Sequence, residues 1–329
     1  EILPQKLQNR EIRFIDAISE AIEISMKNHP NLVLMGQDIA EYGGAFKITE
    51  GFVEKFGKKR VRNTPLCEAA IVGSGLGLSI NGYKSMVEMQ FADFVTEGFN
   101  QIINNLAKTH YRWNQNADVV VRMPTGAGTG AGPFHSQSNE AWFAKTPGLK
   151  IAYPAFPDDA KGLLIQSFED PNPVLFFEHK KLYRSLKGNV PEGFYTTPFG
   201  KARKVKEGNE LTIITYGLGV HIALEFAEKN PEISLDIVDL RTLIPLDTET
   251  IYESVKKCNK VIILHEDTLT CGFGAELSAL ISEHCFEDLD APILRVASMD
   301  TPIPFNKKLE DQFMPNEELA EAVDKILKY

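Results

Sequence analysis

Two doubly wound α/β domains are the fold this sequence predicts, and three observations predict it. Short apolar runs rich in Val, Ile and Leu, at 32–35, 119–123, 174–177, 211–216, 260–265 and 293–296, alternate with stretches of helical period. That is the pattern of a parallel sheet with helices on both faces. The pattern breaks between His179 and Gly200, where HKKLYRSLKGNVPEGFYTTPFG is rich in Lys, Gly and Pro and keeps no period, and then it resumes. The length, 329 residues, suits about two domains. The expected division is a polar lead-in over 1–13, a first domain over 14–190 and a second over 191–329.

Taken in order, Ile15, Ile18 and Ile22 mark one face of a helix that stops at Asn28-His29-Pro30. Residues 32–35 form a buried strand closed by Gly36. Gln37, Asp38 and Ile39 therefore stand at a strand's carboxyl end, where open α/β sheets place ligands. The loop from Glu41 to Lys47 carries Gly43-Gly44 and reads as mobile, and 51–56 reads as a helical turn. Lys58, Lys59, Arg60 and Arg62 read as a solvated basic face. Residues 92–110 are expected as a helix with Phe99, Ile102, Ile103 and Leu106 inward. After the strand 119–123, a glycine-rich loop, GAGTGAG, runs from Gly126 to Gly132. Phosphate loops run into a helix N-terminus, often with Lys-Ser/Thr. Neither follows here, so the loop reads as a flexible segment that brings His135 to a cleft. Strand 150–153, helix 158–168 and strand 174–177 complete the first alternation. In the second domain, helices are expected at 220–228, 248–257, 274–286 and 317–327. Asp239, Arg241, His265 and Glu266 gather at strand ends there and read as ion pairs and turn hydrogen bonds.

Composition excludes several classes. With 45 acidic and 35 basic residues the net charge is −10, which disfavours a general nucleic-acid role. No apolar run reaches about 18 residues, so no membrane span is expected. The opening EILPQKLQNR lacks the apolar core of a signal peptide. A first residue of Glu, not Met, reads as processing or as a cut from something longer. Cys67, Cys258, Cys271 and Cys285 form no C-x-x-C pair, which fits a reducing compartment and neither a disulfide framework nor a structural zinc. Cys67 reads as a small buried residue.

The stretch from Thr64 to Phe94, TPLCEAAIVGSGLGLSINGYKSMVEMQFADF, holds the chemistry. Residues 69–80 carry no charge and three glycines, Gly73, Gly75 and Gly77, and read as a helix buried all round. Each interior glycine costs about 1 kcal/mol relative to alanine. Three of them imply that a neighbouring helix or a second subunit comes close. The run is not a dinucleotide fingerprint: Leu78 occupies the sixth position counted from Gly73, and the glycines lie within the helix. Glu68, at the head of this helix, has two readings. It is a first-turn carboxylate facing the helix dipole, or a proton-transfer group, since buried charge is costly unless paired or used. His135 is likewise either a loop histidine with a satisfied hydrogen bond or a functional imidazole. Asp170-Pro171-Asn172-Pro173 is a plain turn or a source of hard oxygen ligands for a cation.

Glu68 with GSGLG, the EMQFADF that follows, HSQSNEAWFAKTPGLK from His135 and PVLFFEHKKLYRS from Pro173 together resemble the β subunits of thiamine-diphosphate-dependent 2-oxo acid dehydrogenases. These form the first enzyme of the pyruvate and branched-chain complexes. The resemblance runs from about Phe14 to the C-terminus. It implies a thiamine-diphosphate-binding (pyrimidine) domain followed by a transketolase C-terminal-like domain that helps assembly and the docking of an acyltransferase core. It implies that Glu68 hydrogen-bonds the pyrimidine ring nitrogen and favours the imino tautomer. Leu66 and Gln90 would line the same pocket, and Phe94, where many relatives carry Tyr, would pack on the ring. His135 would give a proton to the lipoyl group during acyl transfer; an unperturbed imidazole titrates at about 6.5.

The GDG motif with a downstream Asn, which holds magnesium and the diphosphate in this family, is not in the chain. The resemblance therefore implies an α partner, with two α and two β chains, the cofactor at each α–β contact and magnesium held mainly by α; an α–β fusion is the other arrangement. It also implies a structural potassium ion at Asp170 and Asn172, with carbonyls from near 117–120. The expected reaction is oxidative decarboxylation of a small 2-oxo acid with acylation of a lipoyl-bearing acyltransferase, in the cytoplasm of a bacterium or the mitochondrial matrix of a eukaryote. HSQSNEAWF favours the branched-chain type, which acts on 3-methyl-2-oxobutanoate; pyruvate or acetoin is the alternative. A non-catalytic scaffold would need neither Glu68 nor His135. A transketolase-like sugar enzyme would not be expected to carry the HSQS loop or FFEHKKLYRS.

Overall fold

A computed structural model describes residues 8–329 and holds fourteen strands. In chain order they are β1 (Asn9–Arg13), β2 (Leu32–Gly36), β3 (Val61–Asn63), β4 (Lys84–Glu88), β5 (Val119–Thr125), β6 (Lys150–Ala152) and β7 (Val174–His179). There follow β8 (Lys187–Pro191), β9 (Arg203–Lys206), β10 (Leu211–Thr215), β11 (Leu235–Asp239), β12 (Thr242–Ile244), β13 (Val261–Thr268) and β14 (Leu294–Ser298). A seven-stranded sheet runs β12-β6-β7-β5-β4-β2-β3, and a five-stranded sheet runs β14-β13-β10-β11-β9. Both are parallel except for one edge strand each, β12 and β9.

The central strand β5 reads VVVRMPT and is buried along its whole length, as a parallel strand covered on both faces must be. Its one charge, Arg122, lies between Glu88 of β4 and Glu178 of β7 and is ion-paired to both. Tyr183 Oη donates to the second oxygen of Glu178 at 2.6 Å.

Several expectations need correction. Residues 1–7 of the expected lead-in lie outside the described residues, and Asn9–Arg13 is not a loose lead-in. It is β1, paired antiparallel with β8 from Asn9↔Pro191 to Arg13↔Lys187. The loop after β2 is knitted by backbone bonds, with the N–H of Gly44 donating to Asp38 O at 2.8 Å and that of Thr49 to Gly43 O at 3.2 Å. Arg60 is not part of a solvated face. It donates to the carbonyls of Met26, His29 and Leu32 at 2.8, 2.7 and 3.0 Å, tying the end of the first helix to β2. β12, from the second half of the chain, completes the first sheet beside β6, a pairing that three residues between two stronger elements do not announce.

The helix Glu68–Ile80 forms as expected but is not buried all round: Ala70, Ser74 and Ile80 are exposed. Its glycines differ in purpose. A Cβ on Gly75 would fall 3.1 Å from Ser85 Oγ and 3.1 Å from Val87, so this glycine lets the helix lie on its own sheet. Gly77 meets nothing within 4 Å among the described residues. Cys67, expected buried, is exposed, and all four cysteines are free. Among the described residues no helix is long and apolar enough to cross a membrane.

Candidate active site

Ligands of parallel α/β sheets sit beyond the carboxyl ends of the strands, and the candidate residues gather there. β2 ends before Gln37, β3 leads to Leu66 and Glu68, and β4 leads to Gln90 and the corner Phe91–Phe94. β5 runs into the glycine-rich loop and His135, and β7 ends at His179. Glu68 is 8% exposed. Its Oε1 accepts a hydrogen bond from Gln37 Nε2 at 2.8 Å. Behind it, a Cβ on Gly98 would stand 3.4 Å from the Glu68 carbonyl oxygen, so the following helix can approach closely. Gln37 was flagged by its place at a strand end; its partnership with Glu68 was not visible in sequence.

The His135 loop is pinned to the β4 corner. Asp93 Oδ1 accepts from Gln137 N at 3.1 Å and Gln137 Nε2 at 2.9 Å, and Asn139 Nδ2 donates to Ala92 O at 3.0 Å. The His135 ring meets Phe91 and Phe94 edge-on, with centroids 4.7 and 5.4 Å away. The structure thus brings Phe94 and His135 together. Leu66, by contrast, is 81% exposed.

Sequence reading missed several neighbours of the loop. Lys180 is buried, donates to Gly126 O at 2.6 Å and lies 5.8 Å from the Phe91 ring centroid. Burial lowers its pKa to about 8. Glu266, expected as a plain ion-pair residue, does pair with His179 at 2.5 Å, but it also accepts the Ala127 N–H of the loop at 2.6 Å. Arg241 fits the structural reading: it bonds Asp159 at 2.9 Å.

Beyond the loop, Glu140 is buried and accepts from Tyr216 Oη at 2.8 Å. Burial, reinforced by the charge of Asp267, raises its pKa from 4.5 to about 8. The folded protein then holds a proton that the unfolded chain releases. The stability this contributes is full below about pH 4.5 and is lost as pH rises through about 8. Glu140→Gln carries no such titration. Its melting temperature relative to the parent is expected to climb steadily across that window. A gap that stays constant with pH would count against this protonation state.

Asp170 and Asn172 share the turn as expected. Asp170 Oδ1 accepts from Asn172 N at 2.9 Å and Nδ2 at 3.0 Å, while its Oδ2 is bonded by Lys150 Nζ. Oxygen donors are present, but a cation here would share Asp170 with an ammonium group.

Comparison with known proteins decides the family. Residues 10–185 match the transketolase pyrimidine binding domain, and residues 200–319 match the transketolase C-terminal domain. The chain is 48% identical over 314 residues to the 2-oxoisovalerate dehydrogenase subunit beta of Bacillus subtilis, covering 94% of this chain and 96% of that one. The chain belongs to the 2-oxo acid dehydrogenase β subunits. A mitochondrial 2-oxoisovalerate dehydrogenase subunit beta of Dictyostelium discoideum is 44% identical, covering 98% of this chain and 88% of that one. The pyruvate dehydrogenase E1 component subunit beta of Bacillus subtilis is 40% identical, covering 97% and 99%. In fold, the chain is similar to a split gene transketolase described as an inactive beta4 tetramer, with TM-score 0.77 and 23% identity, covering 96% and 99%.

For this 2-oxo acid dehydrogenase β subunit, family membership implies thiamine diphosphate as cofactor and an α subunit as partner. The residues present fit one half of that cofactor. A buried carboxylate with one oxygen fixed by Gln37 and an aromatic corner at Phe91–Phe94 suit a pyrimidine ring. Among the described residues no group of three or more His, Cys, Asp or Glu could hold a metal ion.

Proposed function

We propose that this chain is the β subunit of the decarboxylating component of a branched-chain 2-oxo acid dehydrogenase complex. It would act on 3-methyl-2-oxobutanoate and transfer the acyl group to a lipoyl group on an acyltransferase core. The observation that carries the branched-chain reading is the near full-length 48% identity to a 2-oxoisovalerate dehydrogenase subunit. The 40% identity to a pyruvate dehydrogenase subunit makes pyruvate the second reading. The compartment would follow the source, cytoplasm in a bacterium or mitochondrial matrix in a eukaryote.

Thiamine diphosphate, when bound, supplies the carbon nucleophile that takes up the 2-oxo acid. Glu68 would hold a proton at the pyrimidine ring nitrogen; Gln37 fixes one carboxylate oxygen, and the other would be left to the ring. Burial of Glu68 limits the access of water to the carboxylate. Phe94 would pack on the pyrimidine, and Gln90 and Leu66 would complete the pocket, Leu66 once an α chain covers it. His135, wedged against Phe91 and Phe94, moves a proton to the lipoyl sulfur. Magnesium is held mainly by the α chain.

The test is turnover by the chain assembled with its α subunit, thiamine diphosphate and magnesium. Reduction of an artificial electron acceptor is compared with 3-methyl-2-oxobutanoate and with pyruvate. Preference for the branched acid is expected. Preference for pyruvate would move the enzyme to the second reading, and no turnover with either acid would leave a scaffold role.

Lys150 already meets Asp170, so potassium at the Asp170–Asn172 turn would share that carboxylate with an ammonium group. A melting temperature higher by about 1–2 °C in potassium than in sodium is expected, on the order of 1 kcal/mol in a chain of this size. Identical melts would assign the turn to Lys150 alone.

A further inference from the structure

The loop that carries His135 is held from the other half of the chain. Gly126, Gly128, Gly130 and Gly132 all have positive φ, 92°, 86°, 72° and 73°. Turns of this kind bring backbone N–H groups to one side and form a cradle for an anion. The sequence argued against a phosphate cradle here, and the structure fills these turns with the protein's own carboxylate. Glu310, 2% exposed, belongs to the helix Lys307–Phe313. Its Oε1 accepts the N–H of Gly128 at 2.8 Å and of Gly130 at 3.1 Å, and its Oε2 accepts Gly130 at 2.9 Å. Glu266 of β13 takes the adjacent Ala127 N–H at 2.6 Å. The Phe305 ring lies across Gly132, where a Cβ would fall 2.2 Å from it.

A carboxylate this buried is costly unless it is hydrogen-bonded. The bonds it makes go to the loop, so burying Glu310 and ordering the loop are one event. Past Gly132 the chain turns, with the His135 N–H donating to Gly132 O at 3.3 Å, and sets the imidazole against Phe91 and Phe94.

We propose that Glu310 is a positioning residue for His135: seated in the loop's amides, it lets the C-terminal half of the chain hold the imidazole where an acyl acceptor arrives. This rests on the reading of His135 as the proton donor to the lipoyl group. The experiment uses the assembled α–β enzyme with Glu310→Ala, Glu310→Gln and His135→Gln. Three quantities are read: acylation of a free lipoyl domain, reduction of an artificial acceptor, and hydrogen exchange in 132–137, a segment beyond the amides that Glu310 bonds.

For Glu310→Ala, lipoyl acylation is expected to fall roughly tenfold or more, the scale of a lost hydrogen bond to a charged group. Acceptor reduction should stay within about twofold, below the effect of one such bond, and exchange in 132–137 should rise. Glu310→Gln keeps one oxygen that can accept both amides but sets an NH2 donor where Oε2 accepts the Gly130 N–H, so it is expected to recover only part of the acylation. Unchanged exchange in 132–137, or an equal loss in both half-reactions with a lowered melting temperature, overturns the positioning role. Selective loss in His135→Gln with none in Glu310→Ala overturns it too, and leaves the reading of His135 intact. If His135→Gln shows no selective loss, that reading itself fails, and with it the purpose assigned to Glu310.

Discussion

Glu68→Gln is expected to cut turnover by the assembled enzyme by about 10²–10⁴-fold, the usual contribution of a placed proton-transfer group. The substitution keeps the shape of the side chain. Its amide oxygen can still accept from Gln37 Nε2, which bonds Glu68 Oε1 at 2.8 Å in the parent. What it removes is the charge and the ability to share a proton with a ring nitrogen. The competing reading, a carboxylate that only faces its helix dipole, predicts something different. Losing a first-turn charge costs about 0.3–1 kcal/mol of stability and leaves chemistry untouched. Turnover and melting temperature measured on the same preparation therefore separate the two. A large loss of turnover with an unchanged melt assigns the proton. A small shift in melting with turnover within about threefold returns Glu68 to the dipole, since placed acid–base groups are worth far more.

The central strands, the long helices and the head of the helix Glu68–Ile80 were legible because each is a local pattern. An apolar run such as VVVRMPT can only be buried, and a charge next to an uncharged helix stands out. Long motifs did the same for His135. What was not legible was pairing over distance. Glu310 and Gly128 are separated by 182 positions and Ala127 and Glu266 by 139, and no periodicity relates them. β1 and β12 failed for a related reason. Five and three residues carry too little pattern, and both exist because a distant edge offers hydrogen bonds. The exposed Leu66 and the half-open glycine helix mark a different limit. A sequence shows that a surface is apolar, but not whether its own chain or another one covers it.

Arg122→Met is expected to be the most destabilising single substitution in the first sheet, by about 3–5 kcal/mol, the usual penalty for breaking a buried ion pair. In a chain of this size that corresponds to a drop in melting temperature of roughly 4–7 °C. Methionine retains most of the unbranched stem, so the change isolates the guanidinium. Arg122 is fully buried and bonds Glu178 at 2.6 Å on one side and Glu88 on the other. Without it two carboxylates face each other across the central strand of the sheet. Burial already raises the pKa of Glu88, and the attraction of Arg122 opposes that rise. In the variant the restraint on Glu88 is gone and its carboxyl is driven toward protonation, so the deficit should shrink as pH falls through the carboxylate range. The triad is not thereby a net source of stability. One guanidinium nitrogen, Nη2, has no hydrogen-bond partner among the described residues, and buried triads are often replaced by apolar residues at little cost. Combining Arg122→Met with Glu88→Gln and Glu178→Gln should therefore recover much of the loss. If the single variant costs less than about 1 kcal/mol, within the range of an exposed pair, the carboxylates are reaching water and the sheet is less dry than its burial indicates.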